Sequence, residues 1–230
     1  MEQSNYSVGQ HGLKKLTPRR ESEISGTART FGHIVSYIFH PLFIPTYVTC
    51  FLLFLHPLVF AGYSDKMKIF RLANVVLCTF FIPAFSVFLM WRLKLVITSL
   101  QMKTQQERII PLVITMTLYF WSWYVFKNVD SPDEMQIFLL GAFLSICGAW
   151  LLNIPMRVSL HATAMGSVLT FFFILAFRDS TFNGVYLSIA IFIAGLVCTA
   201  RFMVSHHTAY EIYLGFFAGV FCQLVALYFV

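Results

Sequence analysis

Seven mostly apolar runs of about 20 residues, separated by short polar breaks, limit this chain to very few folds. They lie at about 36–60, 69–91, 109–126, 135–153, 160–177, 184–203 and 208–229. A helix needs about 20 such residues to cross a ~30 Å hydrocarbon core, where every backbone N–H and C=O must be satisfied within the segment. Only 11% of the residues are charged, whereas soluble domains average about 25%. The expected fold is all-α, a polytopic transmembrane bundle of six to seven spans with no room for a soluble catalytic domain. Pro41 and Pro45 predict a kink or short interfacial segment at the start of the first run. The breaks Lys127–Glu134 and Arg178–Gly184 read as hairpin connections.

Two regions are expected: a polar, basic, disordered tail over residues 1–32 and a helical membrane domain over 33–230. The net charge of +6 is no nucleic-acid signal. Lys14, Lys15, Arg19, Arg20 and Arg29 lack interleaved aromatics, and a basic tail before a first span is more simply a topology signal or a contact for anionic lipid heads. The tail has no apolar core of a cleavable signal peptide. Cys50, Cys78, Cys147, Cys198 and Cys222 all fall inside apolar runs without a CxxC pair, which favours small buried hydrophobes over disulfides or a metal site.

Ionisable groups are costly at membrane depth, so those beside the spans are the candidates for chemistry: His40, His56, Arg108, Arg157, His161, Arg201, His206, His207 and Glu211. His207 and Glu211 stand four apart and share a helix face, so the carboxylate can fix the imidazole tautomer and make the other ring nitrogen more nucleophilic. Arg201, six residues earlier, would reach the same pocket across a turn and hold an anionic oxygen. Thr208-x-x-Glu211 is equally a capping box for the last helix. Ser159 and His161 open the fifth run, where Ser159 reads either as an N-cap or as part of a phosphate site at a helix start. The segment from Lys103 to Pro111 contains Arg108 and reads alternatively as a positive-inside cluster. With even numbers of spans between them, all three segments emerge on one membrane face.

These residues resemble the three motifs of the type-2 phosphatidic acid phosphatase superfamily, whose fold is shared with vanadium haloperoxidases: Lys-x6-Arg-Pro, Pro-Ser-Gly-His and Ser-Arg-x5-His-x3-Asp. The third appears as Ala200-Arg201-x5-His207-x3-Glu211, the second as Val158-Ser159-Leu160-His161, and the first is reduced to Arg108-x-x-Pro111. The resemblance covers roughly residues 100 to 215. It implies that His207 attacks phosphorus to form a phosphohistidine, with Glu211 orienting it. His161 would protonate the leaving alkoxide and then activate water, while Arg108, Arg201 and Ser159 hold the phosphoryl oxygens. No metal or other cofactor is then required. The pattern departs at Gln101, which stands at the lysine position, at Leu160 for glycine, and at Glu211 for aspartate. Lys103 is a substitute phosphate ligand, although five residues on a helix turn it about 140° from Arg108. His206 lacks both the offset from Arg201 and the relation to Glu211, which favours His207.

With seven spans the amino terminus shares the motif face. That face carries Lys14, Lys15, Arg19, Arg20, Arg29, Arg92, Lys94, Lys103, Arg108, Arg157 and Arg201, or 11 of the 16 basic residues. Lys66, Lys68, Arg71, Lys127 and Arg178 make the other five. The positive-inside rule then places the motifs at the cytoplasmic face, with a bacterial inner membrane as the expected setting. The expected activity is hydrolysis of a membrane lipid phosphate or diphosphate, with a lipid phosphotransferase or a catalytically weakened lipid-phosphate binder or transporter as alternatives. The partners are the lipid substrate and the bilayer.

Overall fold

The computed structural model describes residues 6–9, 12–15, 26–56, 58–94, 105–154, 156–179, 184–205 and 207–230, with side chains from residue 26 onward except at 105–108. An antiparallel hairpin pairs β1 (Tyr6–Gly9) with β2 (Gly12–Lys15). Eight helices follow: α1 (Gly26–Ile38), α2 (Ile44–Leu55), α3 (Asp65–Arg92), α4 (Gln105–Asn128), α5 (Asp133–Leu152), α6 (Leu160–Arg178), α7 (Gly184–Val204) and α8 (Ala209–Phe229). Helix thus begins at Gly26, within the stretch read as a tail, and most of that stretch lies outside the described residues.

Helices α3 to α8 are long and apolar enough to cross a membrane, making this an integral multi-pass membrane protein. Their outer faces expose Phe192, Phe217 and Phe221, each more than 60% accessible, as suits lipid contact. Helix α2 is shorter, at about 18 Å by helix rise. It nevertheless follows the length of α6. His40, just before it, meets the His161 ring at 5.4 Å near the start of α6, and His56, just after it, meets Asp179 at 3.2 Å beyond the end. Together with the turn at 39–43 it forms a shorter apolar element beside the six spanning helices. The expected kink is that turn, and α1 before it lies against α7, where Gly32 sits beside Val204 and Ala200.

Small residues decide how the centre packs. Helices α6 and α8 make the most extensive contact in the bundle. A Cβ at Gly219 would collide with the Thr163 carbonyl, one at Gly166 with the Phe216 carbonyl, and one at Gly215 would crowd Ser159. Within lipid, where apolar side chains gain little by leaving one kind of hydrocarbon for another, such close backbone approach is a main source of association. Gln223 of α8, fully buried, adds polar links: Ser167 donates to its Oε1 at 2.8 Å and its Nε2 donates to the Ile137 carbonyl at 3.0 Å. Gly141 leaves room for that side chain. One amide therefore ties α5, α6 and α8, and their relative heights are fixed.

Candidate active site

The tight α6–α8 pairing sets two helix starts side by side. Ser159 caps α6, accepting from Ala162 N–H at 3.4 Å, while its own N–H donates to the Glu211 carbonyl in the first turn of α8 at 3.4 Å. Both helices point their positive dipole ends at the same end of the bundle. Helix α7 arrives there with Arg201 in its last turn, the favourable place for a cation.

A turn carries the chain from α7 to α8. The Ser205 hydroxyl donates to the Arg201 carbonyl and accepts from His207 N–H at 3.4 Å. Thr208 then caps α8 in a complete capping box: it accepts from Glu211 N–H at 3.3 Å, and Glu211 Oε2 accepts from Thr208 N–H at 2.8 Å. The same Oε2 lies 3.3 Å from His207 Nδ1. A carboxylate only accepts, so Nδ1 carries the proton and the ring's lone pair resides on Nε2. The two sequence readings of Glu211, helix cap and histidine partner, are both realised by one oxygen.

His207, Arg201, His161 and Pro111 line a single cavity of about 270 Å³. His40 joins them, its ring edge-on to that of His161. His161 Nε2 donates to the Ser36 carbonyl of α1 at 3.0 Å, which fixes its tautomer and leaves the lone pair on Nδ1. His40 lies in the turn outside the spanning helices. Burial first, and then the charge of Arg201, hold its pKa below the ordinary imidazole value.

Charge is distributed unequally between the two ends. Among the described side chains, Glu211 is the one acid at the cavity end, and Asp65, Asp130, Asp133, Glu134 and Asp179 lie at the other. Arg201 and two helix starts beside the single Glu211 carboxylate form an arrangement that can hold an anion.

Not every sequence candidate reaches the cavity. Ser159 is fully buried as the cap of α6 and is not part of the cavity wall, which favours its N-cap reading. Arg108 lies in the first turn of α4, where the backbone alone is described, and Lys103 and His206 lie outside the described residues. Two residues escaped assignment to the site. His40 is 121 positions from its partner His161, and only folding joins them. Ser205 reads as an ordinary loop serine. No group of three or more His, Cys, Asp or Glu able to hold a metal occurs among the described residues. Comparison of the chain with models of known families, with curated proteins and with solved structures gives no match.

Proposed function

We propose that this chain is a membrane phosphatase that hydrolyses a lipid phosphate or diphosphate through a phosphohistidine on His207. The observation that carries this reading is the cavity that His207, backed by Glu211, shares with Arg201 and His161. In the first step the Nε2 lone pair attacks phosphorus while the bond to the lipid oxygen breaks. His161, its Nε2–H held by the Ser36 carbonyl, takes up at Nδ1 the proton of the monoanionic phosphate and passes it to the departing alkoxide. Water then loses a proton to His161 and attacks phosphorus, the N–P bond breaks, and inorganic phosphate leaves with His207 restored. Arg201 holds the equatorial oxygens, with Arg108 beside it by the resemblance to the type-2 phosphatidic acid phosphatases. Positioning and charge provide most of the acceleration in phosphoryl transfer, so this set needs no metal.

The basic bias of the site end supports a cytoplasmic location, in a bacterial inner membrane. A second reading, a lipid-phosphate binder with little turnover, draws support from the Ser159 hydroxyl being committed to the helix cap. A phosphotransferase would use the same intermediate with an alcohol in place of water. Purified protein is assayed for phosphate release from a panel of lipid phosphates beside His207→Ala. Release by the parent and none by the variant is expected. Release that survives the substitution rejects His207 as nucleophile, and tight binding without release favours the binder.

A further inference from the structure

The cavity does not end at its polar mouth. On α4 its wall runs through Pro111, Leu112, Thr115 and Tyr119, and on α5 from Ala149 back to Phe138, each a single helix stripe. At about 1.5 Å per residue the eight steps on α4 and eleven on α5 reach roughly 12 to 17 Å inward, about half the ~30 Å hydrocarbon core. Below the histidines the wall is almost wholly apolar, and most of its hydroxyls are turned back on the protein. Thr115 donates to the Pro111 carbonyl at 2.7 Å, Thr163 to the Ser159 carbonyl at 3.1 Å and Ser167 to Gln223. A deep space offering few open polar partners suits hydrocarbon better than water.

We infer that this cavity encloses one hydrocarbon chain of the phosphate-bearing substrate, with Tyr119 and Phe138 as the floor that limits how much of the chain is taken in. The inference rests on the reading that the phosphate sits at His207. Continuity argues for this occupant: the apolar shaft opens directly onto the end that can hold an anion, so phosphate and tail of a single amphiphile fill both at once. The substrate tail is then gripped by α4, α5 and α6 instead of remaining in the bilayer, and Ala142, part way along the shaft, guards its depth.

The test uses dodecyl phosphate carrying a diazirine at its methyl end, irradiated with the purified full-length protein, while phosphate release is measured in parallel. Adducts are expected on the α4 and α5 segments around Tyr119 and Phe138, and Ala142→Phe should abolish them. A milder variant, Tyr119→Ala, lowers the floor and should shift adducts deeper along the same two helices. Adducts confined to lipid-facing residues such as Phe217, or to the separate apolar groove beside Tyr47 and Tyr186, would overturn the enclosed tail. Release accompanied by such outside labelling leaves the phosphatase reading intact while rejecting the inference. Labelling of the shaft without any release supports the inference and rejects the phosphatase.

Discussion

Glu211 meets the His207 ring at 3.3 Å with the same carboxylate oxygen that closes the cap of α8. The two tasks are separable, because an amide oxygen can accept from Thr208 N–H but carries no charge to support an imidazolium. Glu211→Gln is expected to keep the melting temperature near that of the parent while lowering phosphate release roughly 10²-fold. Glu211→Ala should additionally lose about 1 kcal/mol of stability with the cap. A Gln variant with parental turnover would reduce Glu211 to a capping residue.

His161, as proton donor, should matter in proportion to how badly the leaving group needs a proton. His161→Ala is expected to slow alkyl phosphate hydrolysis about 10²–10⁴-fold. Release from an aryl phosphate with an acidic phenol should fall far less. Equal losses on both substrates would assign His161 to binding.

Ser205 is a positioning residue, holding the Arg201 carbonyl and the His207 amide in one turn. Removing its hydroxyl should slow release roughly tenfold, since small misplacements of reacting groups are costly. Ser205→Thr should restore it. Failure of threonine to rescue, with the fold intact by circular dichroism, would mean that the hydroxyl does not set this turn.

Gly219→Ala inserts a methyl against the Thr163 carbonyl and should cost about 1–3 kcal/mol, read as a fall in melting temperature in detergent. Turnover should drop with it, because the α6–α8 contact is what sets His161 and His207 level. Gly195→Ala, in open space on α7, is the control and should leave both unchanged. Indifference at position 219 would show that the two helices are held by other contacts.

How much of this was legible beforehand follows from the range of each interaction. The bilayer imposes long apolar segments, so the six later spans stand out from composition alone. Helix α1 did not, because its polar face carries Arg29, Thr30 and His33 and resembles a tail until α7 covers the other side. Arg201, His207 and Glu211 are linked by local turns, and their spacing survives in the sequence. The pairing of His40 with His161 depends on how α2 lies along α6, which no spacing encodes. Ser159 had two readings that only the position of its hydroxyl separates.

Helix α8 is long enough to cross the bilayer once, and this separates its two ends. Val230 finishes on the far side of the bilayer from His207. A reporter fused behind it, active in one compartment alone, therefore reads the sidedness of the chemistry without disturbing it.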